Sequence, residues 1–122
     1  MTILLIEDNE LNLDMLSRRL ERKGFTIISA TDGIAGIKKA NKENPELIIM
    51  DLSLPILNGW DAAEKLKENN KTKSIPIIAL TAHAMKGDKE KAIKAGCDEH
   101  DTKPVNFQRL LEKISKVTGA II

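Results

Sequence analysis

Apolar runs recur along the chain, and each stops abruptly at polar side chains. Ile3-Leu4-Leu5-Ile6 runs into Glu7-Asp8, Leu47-Ile48-Ile49-Met50 into Asp51, and Ile77-Ile78-Ala79-Leu80 into Thr81. Short runs of this kind predict strands buried on both faces, and the stretches between them carry apolar residues at helical spacing. The first strand is expected at Thr2–Ile6. Asn9 then caps a helix with Leu13, Leu16 and Leu20 inward, closed by Gly24. A second strand over 25–30 turns at Thr31-Asp32-Gly33 into a helix with Ile34 and Ile37 inward, ending before Pro45. The third strand covers 47–50 with Asp51 at its end. Ser53-Leu54-Pro55-Ile56-Leu57-Asn58-Gly59 is a loop, and Trp60, Ala63 and Leu66 form the buried stripe of a helix over 60–69. Pro76 opens the fourth strand, where a proline is tolerated. A helix over 85–95 is stopped by Gly96. Its apolar side (Met85, Ala92, Ile93, Ala95) is weak, and Gly87 lowers its propensity by roughly 1 kcal/mol. Glu99–Thr102 is a short polar fifth strand. Val105, Phe107, Leu110, Leu111, Ile114 and Val117 then give the last helix a strong inward face.

Alternating strands and helices predict an α/β fold with helices on both faces of a parallel sheet. Parallel strands share a direction, so residues just past their ends lie on one edge, where open α/β sheets bind ligands. Glu7, Asp8, Asp51, Thr81 and Lys103-Pro104 therefore converge on one spot. Five strands and five helices account for the chain, and one domain spanning 1–122 with no second domain is expected.

Composition narrows the partners. Nineteen basic against eighteen acidic residues leave a charge of +1, which favours neither nucleic acid nor an anionic membrane. No apolar stretch approaches the roughly 20 residues that span a bilayer. The aromatic residues are Phe25, Trp60 and Phe107, with no Tyr, which argues against base-stacking surfaces. Cys97 is alone, so no disulfide framework exists, and a cytoplasmic location is expected.

The convergent set has a definite chemistry. Three carboxylates held together repel, and one is pushed toward protonation unless a cation sits between them. Oxygen-only ligands suit Mg²⁺ (or Mn²⁺) rather than zinc. A carboxylate facing a bound phosphate can attack it to form an aspartyl phosphate. Lys103 supplies a point charge, and the Thr81 hydroxyl can donate to a phosphoryl oxygen. Each residue alone has an ordinary alternative. Glu7-Asp8 fits a solvated helix start, Thr81 an N-cap, Lys103 a surface lysine, and Pro55 and Gly59 a turn. All of them landing in order at strand ends is specific.

Glu7-Asp8-Asn9, Asp51 with Pro55 and Gly59, Thr81-Ala82, and Lys103-Pro104 resemble the response-regulator receiver domain of two-component signalling, of the stand-alone chemotaxis type, over the whole chain. The resemblance implies a flavodoxin-like doubly wound five-stranded parallel sheet in the order 2-1-3-4-5, flanked by five helices. It implies that Asp51 accepts a phosphoryl group from a phosphohistidine on a sensor histidine kinase or a histidine phosphotransfer protein. Asp8, Asp51 and the Ser53 backbone carbonyl would bind Mg²⁺, with Glu7 acting through a bound water. Thr81, Ala82 and Lys103 would bind the phosphate, and the Lys103-Pro104 peptide would be cis. The downstream partner would be a protein docking on the fourth helix, fifth strand and fifth helix. The chain would be a monomer or weak dimer, and no enzyme beyond its own phosphorylation and dephosphorylation.

Two departures from the family pattern stand out. His100 occupies the position, three before Lys-Pro, where receivers carry Tyr or Phe as a switch residue. It is either a plain strand-edge histidine or a smaller, polar switch. Asp101 follows where an apolar residue is common, so a less buried fifth strand is expected. Ser53 and His83, two residues after Asp51 and Thr81, would tune hydrolysis of the aspartyl phosphate. A row of Lys86, Lys89, Lys91, Lys94 and His100 is either a solvated helix face or a surface for an acidic partner. His83 as a phosphohistidine carrier lacks any kinase signature around it. A haloacid-dehalogenase-type phosphatase would need Asp where Ser53 stands. A phosphorylation-independent interaction module would have tolerated loss of Asp51, Asp8 or Lys103, and all are present. The segment Thr81-Ala82-His83-Ala84-Met85-Lys86-Gly87-Asp88 looks like receivers of hybrid histidine kinases, so an excised receiver is the alternative. Met1 directly before the first strand favours the free-standing form.

Overall fold

The computed structural model describes residues 1–54, 56–81 and 88–121, and of Asp88 and Lys89 only the backbone. Pro55, Ala82, His83 and the expected helix start at 85–87, with Lys86, lie outside the described residues, as does the side chain of Lys89. Five strands and five helices alternate: β1 (Thr2–Ile6), α1 (Glu10–Arg22), β2 (Thr26–Ala30), α2 (Gly33–Glu43), β3 (Leu47–Asp51), α3 (Gly59–Glu68), β4 (Ile77–Thr81), α4 (Asp88–Lys94), β5 (Glu99–Thr102) and α5 (Phe107–Thr118). The strands form one parallel sheet in the order β2-β1-β3-β4-β5.

Strand alternation divides the core. Ile3, Leu5, Leu47, Ile49, Ile78 and Leu80 face Leu20 of α1 and Leu110, Leu111 and Ile114 of α5. Leu4, Ile6, Ile48, Met50, Ile77 and Ala79 face Ala40, Ala62, Ala63, Leu66 and Ala92 of α2, α3 and α4. Arg19 stacks on the Phe107 ring at 4.4 Å, fastening α1 to α5, and Lys91 lies 5.4 Å from the Trp60 ring, bridging α3 and α4. Side-chain oxygens cap four helices: Asn9, Asp32, Asn58 and Asn106 accept from Asn12, Ala35, Asp61 and Arg109 amides.

The expected inward residues are corrected at three places. Ile34 is 44% exposed, because α2 buries its Gly33-Gly36-Ala40 stripe, Gly33 against Leu57 of the loop before α3 and Gly36 against Ile6 of the sheet, and turns Ile34 away. A Cβ at Gly36 would lie 2.4 Å from Ile6 Cδ1, so any larger residue there would displace the tip of the Ile6 side chain. Ile93 is also exposed, since α4 and the residue that follows it join the core through Ala92 and Ala95. Trp60 is half-buried at the margin of the stripe that Ala63 and Leu66 bury.

The fifth strand reverses expectation more fully. Glu99 and Asp101 are buried, because α5 lays a row of cations over them. Asp101 pairs with Arg109 at 2.8 Å, and Glu99 with Lys116 at 2.9 Å and Lys113 at 3.5 Å.

Gly59 fixes how closely α3 approaches the end of β3. A Cβ there would meet Leu52 Cα at 2.6 Å and the Asp51 carbonyl oxygen at 2.7 Å, both backbone atoms. Gly59→Ala is expected to destabilise the fold by about 1–3 kcal/mol, as overpacked cores do, measurable as a lower urea midpoint at unchanged slope.

Candidate phosphoacceptor site

Three strands, β1, β3 and β5, end at the same edge of the sheet and deliver the site, with β4 lying between β3 and β5. Glu7 follows β1, with its amide held by the Ala30 carbonyl at 3.0 Å, and Asp51 closes β3. Lys103 follows β5, its amide donating to the Thr81 carbonyl at 2.7 Å. Alternation places Glu7, Asp51 and Lys103 in the rows that face α1 and α5, so the three side chains meet.

The Lys103 ammonium lies 2.7 Å from Glu7 Oε1 and 2.9 Å from Asp51 Oδ2. The Ser53 amide donates to Asp51 Oδ1 at 2.9 Å. Glu7 and Asp51 are buried and Asp8 is exposed, yet one carboxylate oxygen from each lies within 4.8 Å of the others. Glu7 Oε2 is buried without a hydrogen-bond partner among the described residues. Beside the cluster, a cavity of about 460 Å³ is floored by Leu5, Ile6 and Leu80 and walled by Asn12, Met15, Leu16 and Val105. The Lys103-Pro104 peptide is cis.

Charge and burial set the protonation. Burial raises the Glu7 carboxyl to about 7, helped by the neighbouring Asp51 and opposed by Lys103. Burial also pushes Asp51 up, but hydrogen bonds with Glu7, the Ser53 amide and Lys103 outweigh it and hold Asp51 below its ordinary value. Below about pH 7 the pair thus keeps a proton on Glu7, leaving Asp51 as the ionised, nucleophilic member. Lys103 is held above its ordinary value: burial opposes this, and the two carboxylates prevail.

The remaining site expectations fall as follows. Thr81 is buried at the end of β4, in the row of Ile77 and Ala79 that faces α4, and its carbonyl anchors Lys103. Ser53 is exposed and reaches Asp51 through its amide. His100 is half-buried on β5 opposite Ala79. The direct Glu7–Lys103 ion pair was not anticipated. Residue parity could have found it, since Glu7 continues the Ile3-Leu5 row and Lys103 the Glu99-Asp101 row.

The donor set fits a hard divalent cation. Its carboxylates are oxygen ligands gathered around one point, and the unpartnered Glu7 oxygen is the kind of buried acceptor that a cation or its water would satisfy. Comparison with known proteins places this geometry. A model of the response regulator receiver domain matches residues 3–115. The chain belongs to this receiver family. It is therefore a receiver domain of two-component signalling. It is 35% identical over 118 residues to the polar-differentiation response regulator DivK of Brucella anthropi, covering 97% of this chain and 96% of DivK. Among solved structures, it resembles the receiver domain of sensor histidine kinase PA1611 from Pseudomonas aeruginosa, which has a magnesium ion coordinated in its active-site cleft. That likeness has TM-score 0.90 and 32% identity, covering 98% of both chains. It also resembles a chain in the co-crystal structure of the Saccharomyces cerevisiae phosphotransfer protein Ypd1 and the receiver domain of the response regulator Ssk1. There the TM-score is 0.90 and the identity 31%, covering 100% of this chain and 92% of that one. Among the described residues of this receiver, no helix is long and apolar enough to cross a membrane.

Proposed function

We propose that Asp51 is the phosphoacceptor of a signalling switch. The observation that carries this reading is the buried Asp51 carboxylate, held by the Ser53 amide and Lys103 beside two further carboxylates. An Asp51 oxygen attacks the phosphorus of a partner's phosphohistidine. The P–N bond breaks, and its electron pair returns to the imidazole. The receiver's likeness to a chain in the complex of Ypd1 and Ssk1 supports a histidine kinase or phosphotransfer protein as donor.

Asp8, Asp51 and the Ser53 carbonyl would hold Mg²⁺ or Mn²⁺, with Glu7 reached through water. The bound cation would supply positive charge to phosphoryl oxygens. Lys103 neutralises charge on the acceptor and then on the phosphate, and its second partner, Glu7, keeps it in place as Asp51 changes. The Thr81 hydroxyl and the Ala82 amide bind phosphoryl oxygens, drawing Thr81 toward the site from the α4 side. That movement, with His100 in the switch position, alters the face of α4, β5 and α5 toward a downstream protein. Ser53 and His83 set the lifetime of the acyl phosphate. The receiver catalyses only its own phosphorylation and dephosphorylation, as a cytoplasmic monomer or weak dimer. The match to nearly the whole of DivK supports the reading as a DivK-like response regulator. The likeness to the PA1611 receiver supports the second reading, a receiver belonging to a hybrid kinase.

Intact-mass spectrometry after incubation with acetyl phosphate and Mg²⁺ tests the reading. One phosphate adduct is expected, absent without Mg²⁺ and in Asp51→Asn. An adduct that persists in Asp51→Asn would refute the assignment.

A further inference from the structure

β5 is an edge strand with β4 as its neighbour, so half of its backbone groups face away from the sheet. Open edges of this kind invite pairing with another chain. The Lys103 amide reaches Thr81 on β4, so the odd-numbered residues of β5 point their amides inward and His100 and Thr102 point outward.

Both outward amides and the His100 carbonyl meet side chains. The His100 amide donates to Glu99 Oε1 at 3.0 Å, and the Thr102 amide to Asp101 Oδ1 at 2.8 Å. The Lys113 ammonium donates to the His100 carbonyl. The two capping carboxylates are in turn held from α5. Arg109 Nε and Nη2 both reach Asp101 Oδ1 at 2.8 Å, and Lys116 reaches Glu99 Oε2 at 2.9 Å. Burial pushes the Glu99 carboxyl up, but the His100 amide and the Lys116 and Lys113 ammoniums hold it at about 2, so it stays ionised.

Stability does not account for acids at these positions. Buried ion pairs seldom out-stabilise apolar side chains of similar size. Asp101 Oδ2, moreover, is buried with no hydrogen-bond partner among the described residues, an unfavourable arrangement that a valine would avoid. A role at the edge explains their presence.

We propose that Glu99 and Asp101 close the β5 edge to strand addition, each capping the outward amide of the residue that follows it, while Arg109, Lys113 and Lys116 hold the caps in place. Proteins that approach this side of the receiver then dock through side chains. A second copy of the chain, or an extended peptide, finds no free row of amides to pair with. This device is independent of the phosphoacceptor chemistry.

Two double variants separate capping from charge. E99V/D101V removes the acceptors and keeps strand-compatible side chains. E99Q/D101N removes the charge and keeps an oxygen for each amide. Sedimentation equilibrium is expected to show self-association about tenfold tighter or more in the valine variant, corresponding to the loss of one to two net hydrogen bonds, and no change in the amide variant. Amide exchange by NMR supplies the second readout. In the wild type, His100 and Thr102 are expected to exchange at least about tenfold more slowly than open amides, and the dilute valine variant to lose that protection. A folded valine variant with wild-type association and exchange would overturn the proposal, as would an amide variant that associates as tightly as the valine one. Should the valine variant fail to fold, wild-type exchange decides. Protected His100 and Thr102 amides support the caps, and unprotected ones refute them.

Discussion

Lys103→Met is expected to slow phosphorylation of Asp51 by about 10²-fold at saturating Mg²⁺, the scale of losing one preorganised charge at a reacting centre. The ammonium lies within 3 Å of both Glu7 and Asp51, at 2.7 and 2.9 Å, with its side chain only 20% exposed. Methionine fills similar space but leaves the two buried carboxylates facing each other without their cation. The shared proton is then held more tightly, and charge developing on the transferred phosphoryl group goes unanswered. Lys103→Arg is expected to restore little, because a planar guanidinium does not reproduce a point charge between two carboxylates. Initial rates from intact mass with acetyl phosphate measure both variants. A methionine variant within a few-fold of wild type would show that Lys103 is structural rather than electrostatic in its role.

Metal affinity is expected to rise with pH through about 7, with release of up to one proton per cation bound. Glu7 carries the proton of the pair, with its carboxyl at about 7, and must lose it to face a cation as a carboxylate. The sign is opposite for stability of the metal-free protein. The folded state holds the Glu7 proton more firmly than the unfolded state, so this contribution is present below the ordinary value of 4.5. It is lost as pH rises through about 7. Asp51 behaves oppositely: held below its ordinary 3.8, it stabilises above that value and loses its contribution only in stronger acid. Allowing for solvent screening, the Glu7 loss is about 1 kcal/mol, or about 4 °C in melting temperature between roughly pH 5 and pH 8. Glu7→Gln is expected to remove this part of the slope. Added Mg²⁺ should stabilise the wild type more at about pH 8 than at about pH 6. Melting curves and calorimetric proton release measure each effect. Proton release that is the same in Glu7→Gln would place the titrating group elsewhere.

The fold was legible because its strands are continuous apolar runs with sharp polar ends. Ile3–Ile6, 47–50 and 77–80 admit little but buried parallel strands, and their polar ends mark one sheet edge. Ile34 and Ile93 were misplaced because helical spacing ranks residues by hydrophobicity. Packing instead chose the small stripes, Gly33-Gly36-Ala40 and Ala92-Ala95, that let helices approach the sheet. β5 was misread for a related reason. Glu99 and Asp101 look solvent-seeking when Arg109, Lys113 and Lys116 are out of view, and their burial depends on cations eight and more residues away along α5. At the site, the convergence of Glu7, Asp8, Asp51 and Lys103 followed from strand direction. The Glu7–Lys103 pair was missed although strand parity pointed to it, and the proton on Glu7 was not legible, since it depends on ångström-scale distances and burial.

The most direct measurement is chemical trapping of the phosphorylated residue. The protein is incubated with acetyl phosphate and Mg²⁺, reduced with borohydride, digested, and mapped by peptide mass spectrometry. Borohydride converts an acyl phosphate on aspartate to homoserine, so homoserine is expected at position 51, dependent on Mg²⁺ and absent elsewhere. Homoserine at another acidic position, or a stable phosphate on His83 with residue 51 unchanged, would contradict Asp51 as the acceptor.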